Sequence, residues 1–274
     1  MIRCRGLTFD YPGGTRALAG VDLSVTAGER VAIVGQNGSG KSTLVKHFNG
    51  LLRPTDGVVE IDGRDATDRR VAALAAIVGL VFQDPDRQIF AGRVRAEVAF
   101  GARNVGLRGA ALTAAIDGAL DAVGLREAGE TNPYDLGFSR RKLLALASIL
   151  AMGTPVVVLD EPTTGQDADG VRRVRDVIAS LAAQGRTVIA ISHDMRFVAE
   201  TFERVVVMAA GQVVLDGPPA MVFAESAWPT LASTYLEAPL SARVGARLGL
   251  GPTPTDETLL EAMLEALARS NGPS

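Results

Sequence analysis

Residues suited to phosphate chemistry stand together in Gly35-Gln36-Asn37-Gly38-Ser39-Gly40-Lys41-Ser42-Thr43, whose first eight members fit the pattern G-x-x-x-x-G-K-[ST]. The glycines of this pattern let backbone N–H groups turn inward around a polyphosphate, and a following helix adds its positive end. Lys41 is then placed for the β- and γ-phosphates and the Ser42 hydroxyl for Mg²⁺. The chain has three lysines, Lys41, Lys46 and Lys142, and arginine carries nearly all its positive charge, so a lysine at this position is informative. An apolar run at 156–159 ends in Asp160-Glu161. Asp160 suits the metal, directly or through water, and Glu161 suits taking a proton from an attacking water. His193, in Ile191-Ser192-His193-Asp194, closes the next apolar run, within reach of a γ-phosphate. Gln83 follows the run at 78–82, where a neutral amide can touch metal and water and swing when the phosphate leaves. His47 and Cys4 read as structural residues, the latter as a small buried apolar side chain.

The elements that must hold these groups follow from periodicity. Runs at 31–34, 156–159, 188–191 and 205–208 are almost continuously apolar and β-branched, which predicts strands of a parallel sheet buried on both faces. Helical patterns separate them, notably at 171–183, giving an α/β core. The N-terminal runs at 7–11, 20–25 and 58–61 predict an antiparallel β-layer, with Pro12-Gly13-Gly14 as a turn. Ala209-Ala210-Gly211-Gln212 is a tight turn joining two further strands. Between about 84 and 152 the strands give way to Ala- and Leu-rich helical stretches at 111–123 and 140–152, an inserted helical subdomain. Past 223 the composition shifts to Pro, Ser and Ala and ends in an amphipathic helix at 256–268, with Leu259, Leu260, Met263, Leu264 and Leu267 on one stripe. A stripe of that kind usually packs within its own chain, with a subunit interface as the alternative. The predicted organisation is residues 1–223 as one domain and 224–274 as a C-terminal extension.

Bulk properties narrow the partners. The chain has 274 residues, enough for a sizeable core, with 47% hydrophobic residues and a formal net charge of −3. An acidic balance argues against nucleic acid, which selects clustered Lys and Arg. One cysteine excludes an internal disulfide. Met1 to Asp10 lack the charged-then-apolar pattern of a secretory signal. The longest apolar runs, near 71–82 and 143–152, fall short of the roughly 18 residues of a membrane span. Work at a membrane is therefore expected from outside the lipid.

The order Tyr11, the loop at Gly35, Gln83, the helix from Arg140, Asp160-Glu161, Thr164-Gly165-Gln166-Asp167 and His193 resembles the nucleotide-binding subunits of ABC transporters over roughly the first 220 residues. The resemblance implies a P-loop NTPase fold with a RecA-like parallel core, and ATP and Mg²⁺ as cofactors. It implies that Tyr11 stacks on adenine, Gln83 senses a membrane partner, Asp167 lies at a dimer seam and His193 is a switch histidine. More narrowly, Val81-Phe82-Gln83-Asp84-Pro85-Asp86-Arg87-Gln88-Ile89-Phe90 with Val98-Ala99-Phe100-Gly101 is similar to the energy-coupling-factor (ECF) importers of vitamins and transition-metal ions. The tail at 240–250 and 256–268 is similar to the extension by which two ATPase subunits of that group hold together. An integral membrane transporter subunit and a second ATPase subunit, in a homodimer or heterodimer at the cytoplasmic face of the membrane, are the implied partners.

One segment departs from the family pattern. Where the family has L-S-G-G-Q, this chain has Leu136-Gly137-Phe138-Ser139-Arg140. In the family that segment offers a hydroxyl and helix-start N–H groups to the partner's γ-phosphate. Here Phe138 replaces a glycine that allows close backbone approach, while Gly137 and Ser139 remain as candidates, Ser139 as the helix N-cap. The expected function is an ATP-hydrolysing transport subunit. A nucleotide-binding regulatory subunit with incidental hydrolysis, or an ATPase of another ABC importer or exporter class, is the alternative, and an ABC ATPase acting on DNA or ribosomes fits poorly.

Overall fold

The computed structural model describes residues 1–270. Its strands are β1 (Ile2–Asp10), β2 (Arg16–Val25), β3 (Arg30–Val34), β4 (Asp56–Ile61), β5 (Arg64–Asp65), β6 (Val78–Val81), β7 (Val156–Asp160), β8 (Thr187–Ile191), β9 (Arg204–Ala209) and β10 (Gln212–Gly217). Its α-helices are α1 (Lys41–Phe48), α2 (Val71–Ala75), α3 (Val94–Asn104), α4 (Gly109–Ala122), α5 (Phe138–Leu150), α6 (Ala168–Ala183), α7 (Met195–Thr201), α8 (Pro219–Val222), α9 (Trp228–Ser233), α10 (Leu240–Arg247) and α11 (Asp256–Ser270).

Six strands form the central sheet in the order β10-β9-β3-β8-β7-β6. β9, β3, β8, β7 and β6 run parallel, and β10 is an antiparallel edge strand. Their continuous apolarity has a direct cause, because successive residues feed different cores. Ala32, Val34, Val157, Leu159, Val188 and Ala190 pack with the helices on one face. Val31, Ile33, Val156, Val158, Ile189 and Ile191 pack on the other, against α1 and the N-terminal strands. That second layer is the antiparallel sheet β2-β1-β4-β5. The layers are joined where Ala19 N–H donates to Gly211 O at 2.9 Å.

Helices α3, α4 and α5 lie between β6 and β7, in the stretch where strands were expected to vanish. The α/β P-loop fold, its antiparallel layer and its C-terminal helices are therefore as the sequence predicts. Boundaries differ in three places. α1 begins at Lys41, two residues before the helical run at 43–50 suggested by the sequence, and α5 begins at Phe138, two residues before the expected start at 140. The apolar run at 71–82 divides into α2 and β6.

The stripe on α11 lies at the surface. Leu260, Met263, Leu264 and Leu267 are exposed, at 59, 40, 58 and 57%. α11 packs on α10 and leaves these side chains largely on the surface, the alternative to burial within the chain. The last residues of the predicted extension, 271–274, lie outside the described residues.

Candidate functional site

Parallel strands bring their C-terminal ends to one edge, and ligands of open α/β sheets bind outside that edge. β3 ends in the Gly35 loop, β7 in Asp160-Glu161, β8 in Ser192-His193, and β6 just before Gln83. Tyr11, Lys41, Ser42, Gln83, Asp160 and Glu161 all line one cleft there, with Asn37, Gly38, Gly40 and Thr43.

The loop's shape depends on glycine at two crowded points. A Cβ on Gly35 would lie 2.3 Å from Met208 O. Gly40, the N-cap of α1, has φ +99°, and a Cβ there would lie 2.5 Å from Ala17 O. Lys41 Nζ curls into the loop, donating to Gly35 O at 2.7 Å and Gln36 O at 2.8 Å, beside buried Ser39. Burial pulls the Lys41 ammonium below the usual lysine range, although the Glu161 and Asp160 carboxylates oppose that shift. A phosphate chain in the cleft supplies the anionic partner that this half-desolvated ammonium lacks.

The metal residues meet a stricter test. Burial pushes the Asp160 carboxyl up, opposed by its bond from Ser42 and by Lys46, Lys41 and Lys142. Its Oδ1 is buried without a protein hydrogen-bond partner. An orphaned carboxylate oxygen next to a serine hydroxyl on a phosphate loop is the donor set a hard divalent cation takes, so the residues fit Mg²⁺.

Glu161 is 8% exposed and stands at φ +53°, a left-handed conformation rare outside glycine. Its Oε2 lies 2.7 Å from His193 Nδ1, and Thr164 Oγ1 donates to the same oxygen at 3.4 Å. His193 stands at this strand edge with its ring coupled to the glutamate, while two thirds of its side chain stays open to solvent. Tyr11 is partly exposed at the cleft rim, with its hydroxyl 3.0 Å from Thr43 Oγ1 and its ring edge-on to Phe9. His47 is structural as expected: Nδ1 donates to Thr43 O at 2.8 Å, and burial holds the ring below its usual pKa.

The family model described as ABC transporter matches residues 18–164. The chain belongs to the ABC transporter family. It is an ATPase of that family. The energy-coupling factor transporter ATP-binding protein EcfA of Methanothermobacter thermautotrophicus is 41% identical over 231 residues, covering 82% of this chain and 73% of the relative. The structure of cbiO1 from Clostridium perfringens, part of the ABC transporter complex cbiONQ, matches with a TM-score of 0.75 at 34% identity, covering 90% of this chain and 98% of that one. A dimeric ATP-binding cassette in a post-hydrolysis state, bound to ADP and Pi, matches with a TM-score of 0.72 at 25% identity, covering 80% and 98%.

Within this ABC ATPase the altered signature segment lies apart from the chain's own cleft. Ser139 is not the N-cap of α5. Gly137 caps the helix with no side-chain bond, and Ser139 is its second residue. The Ser139 hydroxyl donates to Gln166 Oε1 at 2.6 Å, and Gln166 Nε2 returns a bond to Ser139 O at 3.1 Å. A tertiary partner thus outcompetes the local cap. The Phe138 ring covers Gly165, where a Cβ would meet it at 2.7 Å. Asp167 caps α6, accepting from Gly170 N–H at 2.8 Å.

Sequence reasoning overlooked two residues. Lys142 is buried and donates to the carbonyls of Glu161 and Thr164; its rarity as one of three lysines was the available signal. Gln88 ties the segment after Gln83 to α5, accepting from Phe82 N–H at 3.1 Å and donating to Ala145 O at 2.8 Å. Gln88 stands within the ECF-like segment, but nothing in that pattern marks its side chain for this tie.

Proposed function

We propose that this ATPase energises an ECF-type importer of a vitamin or transition-metal ion. It works at the cytoplasmic face of the membrane with an integral membrane subunit and a second ATPase subunit. The observation that carries this reading is the position of segment 84–90. It leaves the cleft after Gln83, is bonded to α5, and ends at Phe90, which is 60% exposed and packs edge-on against the 50% exposed Phe100. Two exposed aromatics at the far end of a cleft-linked segment suit an apolar partner surface. The names of EcfA and cbiO1 among similar proteins support the same class. No helix among the described residues is long and apolar enough to cross a membrane, so the transport path is assigned to the partner.

In the proposed mechanism, amides at 38–40 and Lys41 hold the triphosphate, Tyr11 stacks on the adenine, and Ser42, Asp160 and Gln83 hold Mg²⁺. The ion, when bound, screens the phosphate oxygens and orients the terminal phosphate. Glu161 accepts the proton of the attacking water, and His193 fixes the glutamate's orientation through its 2.7 Å bond. Residues 1–223 form the ATPase domain with a helical subdomain at about 84–152. Residues 224–274 form the extension, whose α11 stripe suits a second ATPase subunit.

Gly137, Ser139 and Asp167 are assigned to the dimer seam. The commitment of the Ser139 hydroxyl to Gln166 favours a second reading, a regulatory nucleotide-binding subunit that offers little to its partner's ATP. Phosphate release by the assembled complex separates the two, since a regulator binds ATP without sustained turnover. The primary reading is tested by purifying the tagged chain from solubilised native membranes and identifying its companions. A membrane protein and a second ATPase are expected. Recovery with ribosomes or DNA, free of membrane protein, overturns it.

A further inference from the structure

Lys142 is 4% exposed on the second turn of α5, with its Nζ 5.9 Å from the Phe138 ring centroid. Its ammonium bonds the main-chain carbonyl of Glu161 and, at 2.9 Å, that of Thr164. Neither contact is with a phosphate site or a side-chain carboxylate, so the cleft's chemistry does not explain this buried charge. Burial holds the ammonium below the usual lysine range, with Glu161 and Asp160 opposing.

The turn it grips is the unusual one. A non-glycine residue at φ +53° is strained and persists only where its surroundings over-determine it. Glu161 is tied on one side by its N–H, donating to Ile191 O at 2.9 Å. Lys142 ties the other side, so the carboxylate-bearing residue is held between β8 and α5. α5 also meets segment 84–90 through an ion pair, Arg141 Nε to Asp86 Oδ1 at 3.0 Å, and a hydrogen bond, Gln88 Nε2 donating to Ser148 Oγ at 3.0 Å. One helix therefore grips both the catalytic turn and the segment assigned to the membrane partner.

We propose that Lys142 is a positioning residue: it fixes the Glu161 turn to α5, so that movement of segment 84–90 reaches the glutamate through that helix. This rests on the proposed role of Glu161 in hydrolysis. Lys142→Met removes both bonds without adding a polar group. In the assembled complex it lowers kcat about 10- to 100-fold, the range for losing hydrogen bonds to a charged group, with KM for ATP within about threefold. Lys142→Arg keeps donors to both carbonyls and recovers most of the rate. A second readout separates positioning from general support. Glu161→Gln is expected to hold ATP in a closed pair, and Lys142→Met added to it leaves that pairing intact. An unchanged kcat in Lys142→Met, a loss carried by KM, no recovery in Lys142→Arg, or loss of pairing in the double variant each overturns the proposal. If Glu161→Gln itself turns over ATP normally, the role of Glu161 falls first and this inference with it. If Glu161→Gln is inactive and Lys142→Met is not, only this inference falls.

Discussion

Replacing His193 by alanine removes the ring nitrogen 2.7 Å from Glu161 Oε2 and leaves that oxygen with the Thr164 hydroxyl at 3.4 Å, too long to hold it firmly. A hydrogen bond to a charged group contributes about 1.5–3 kcal/mol, and the low end applies because 66% of the histidine side chain is exposed and water can take its place. About 1.4 kcal/mol corresponds to tenfold in rate, so His193→Ala lowers kcat roughly tenfold. Among the described residues the ring's hydrogen bond is to Glu161 and not to the phosphate loop, so Mg-ATP affinity stays within about twofold by the same conversion. Steady-state phosphate release, paired with equilibrium nucleotide binding, reads both quantities. Unchanged turnover, or a loss lying wholly in nucleotide affinity, refutes the assignment of the histidine to the glutamate.

Two further outcomes follow from the cleft. Gly40→Ala places a Cβ 2.5 Å from Ala17 O at φ +99°; strain of about 1–3 kcal/mol in the binding-competent loop weakens Mg-ATP binding roughly 5- to 150-fold, read by calorimetry. Asp160 has its carboxyl raised by burial, so on acidification it takes up a proton before an ordinary aspartate does, and bound Mg²⁺ must displace that proton. Mg-ATP affinity therefore falls as pH drops through the raised value, by at most about tenfold per pH unit. Asp160→Asn removes that part of the slope, and an identical slope in both proteins contradicts it.

Much of the site was legible because its signals are local. The loop at 35–42 carries its glycines, lysine and serine within one turn, and the strands behind it announce themselves because both faces of β3, β7 and β8 meet apolar layers. What escaped reading depends on contacts distant in sequence. Lys142 bonds carbonyls 19 and 22 positions away, and a carbonyl has no residue type to recognise. Ser139 has an N-cap's chemistry, yet Gln166 takes its hydroxyl and the helix begins two residues earlier than such a cap would place it. His193 was placed at the right edge by its strand, but only the fold shows its ring turned to Glu161. The α11 stripe has the periodicity of a buried face; exposure on the periphery is a property of tertiary arrangement that periodicity does not encode.

The central claim is that the amides at 38–40 and Lys41 grip a triphosphate beside Glu161. Its most direct test is the equilibrium affinity for Mg-ATP of the wild-type chain and Lys41→Ala. Losing one charged donor weakens binding about 10- to 100-fold and removes hydrolysis with it. Equal affinity in the two proteins, or binding by neither, contradicts the account.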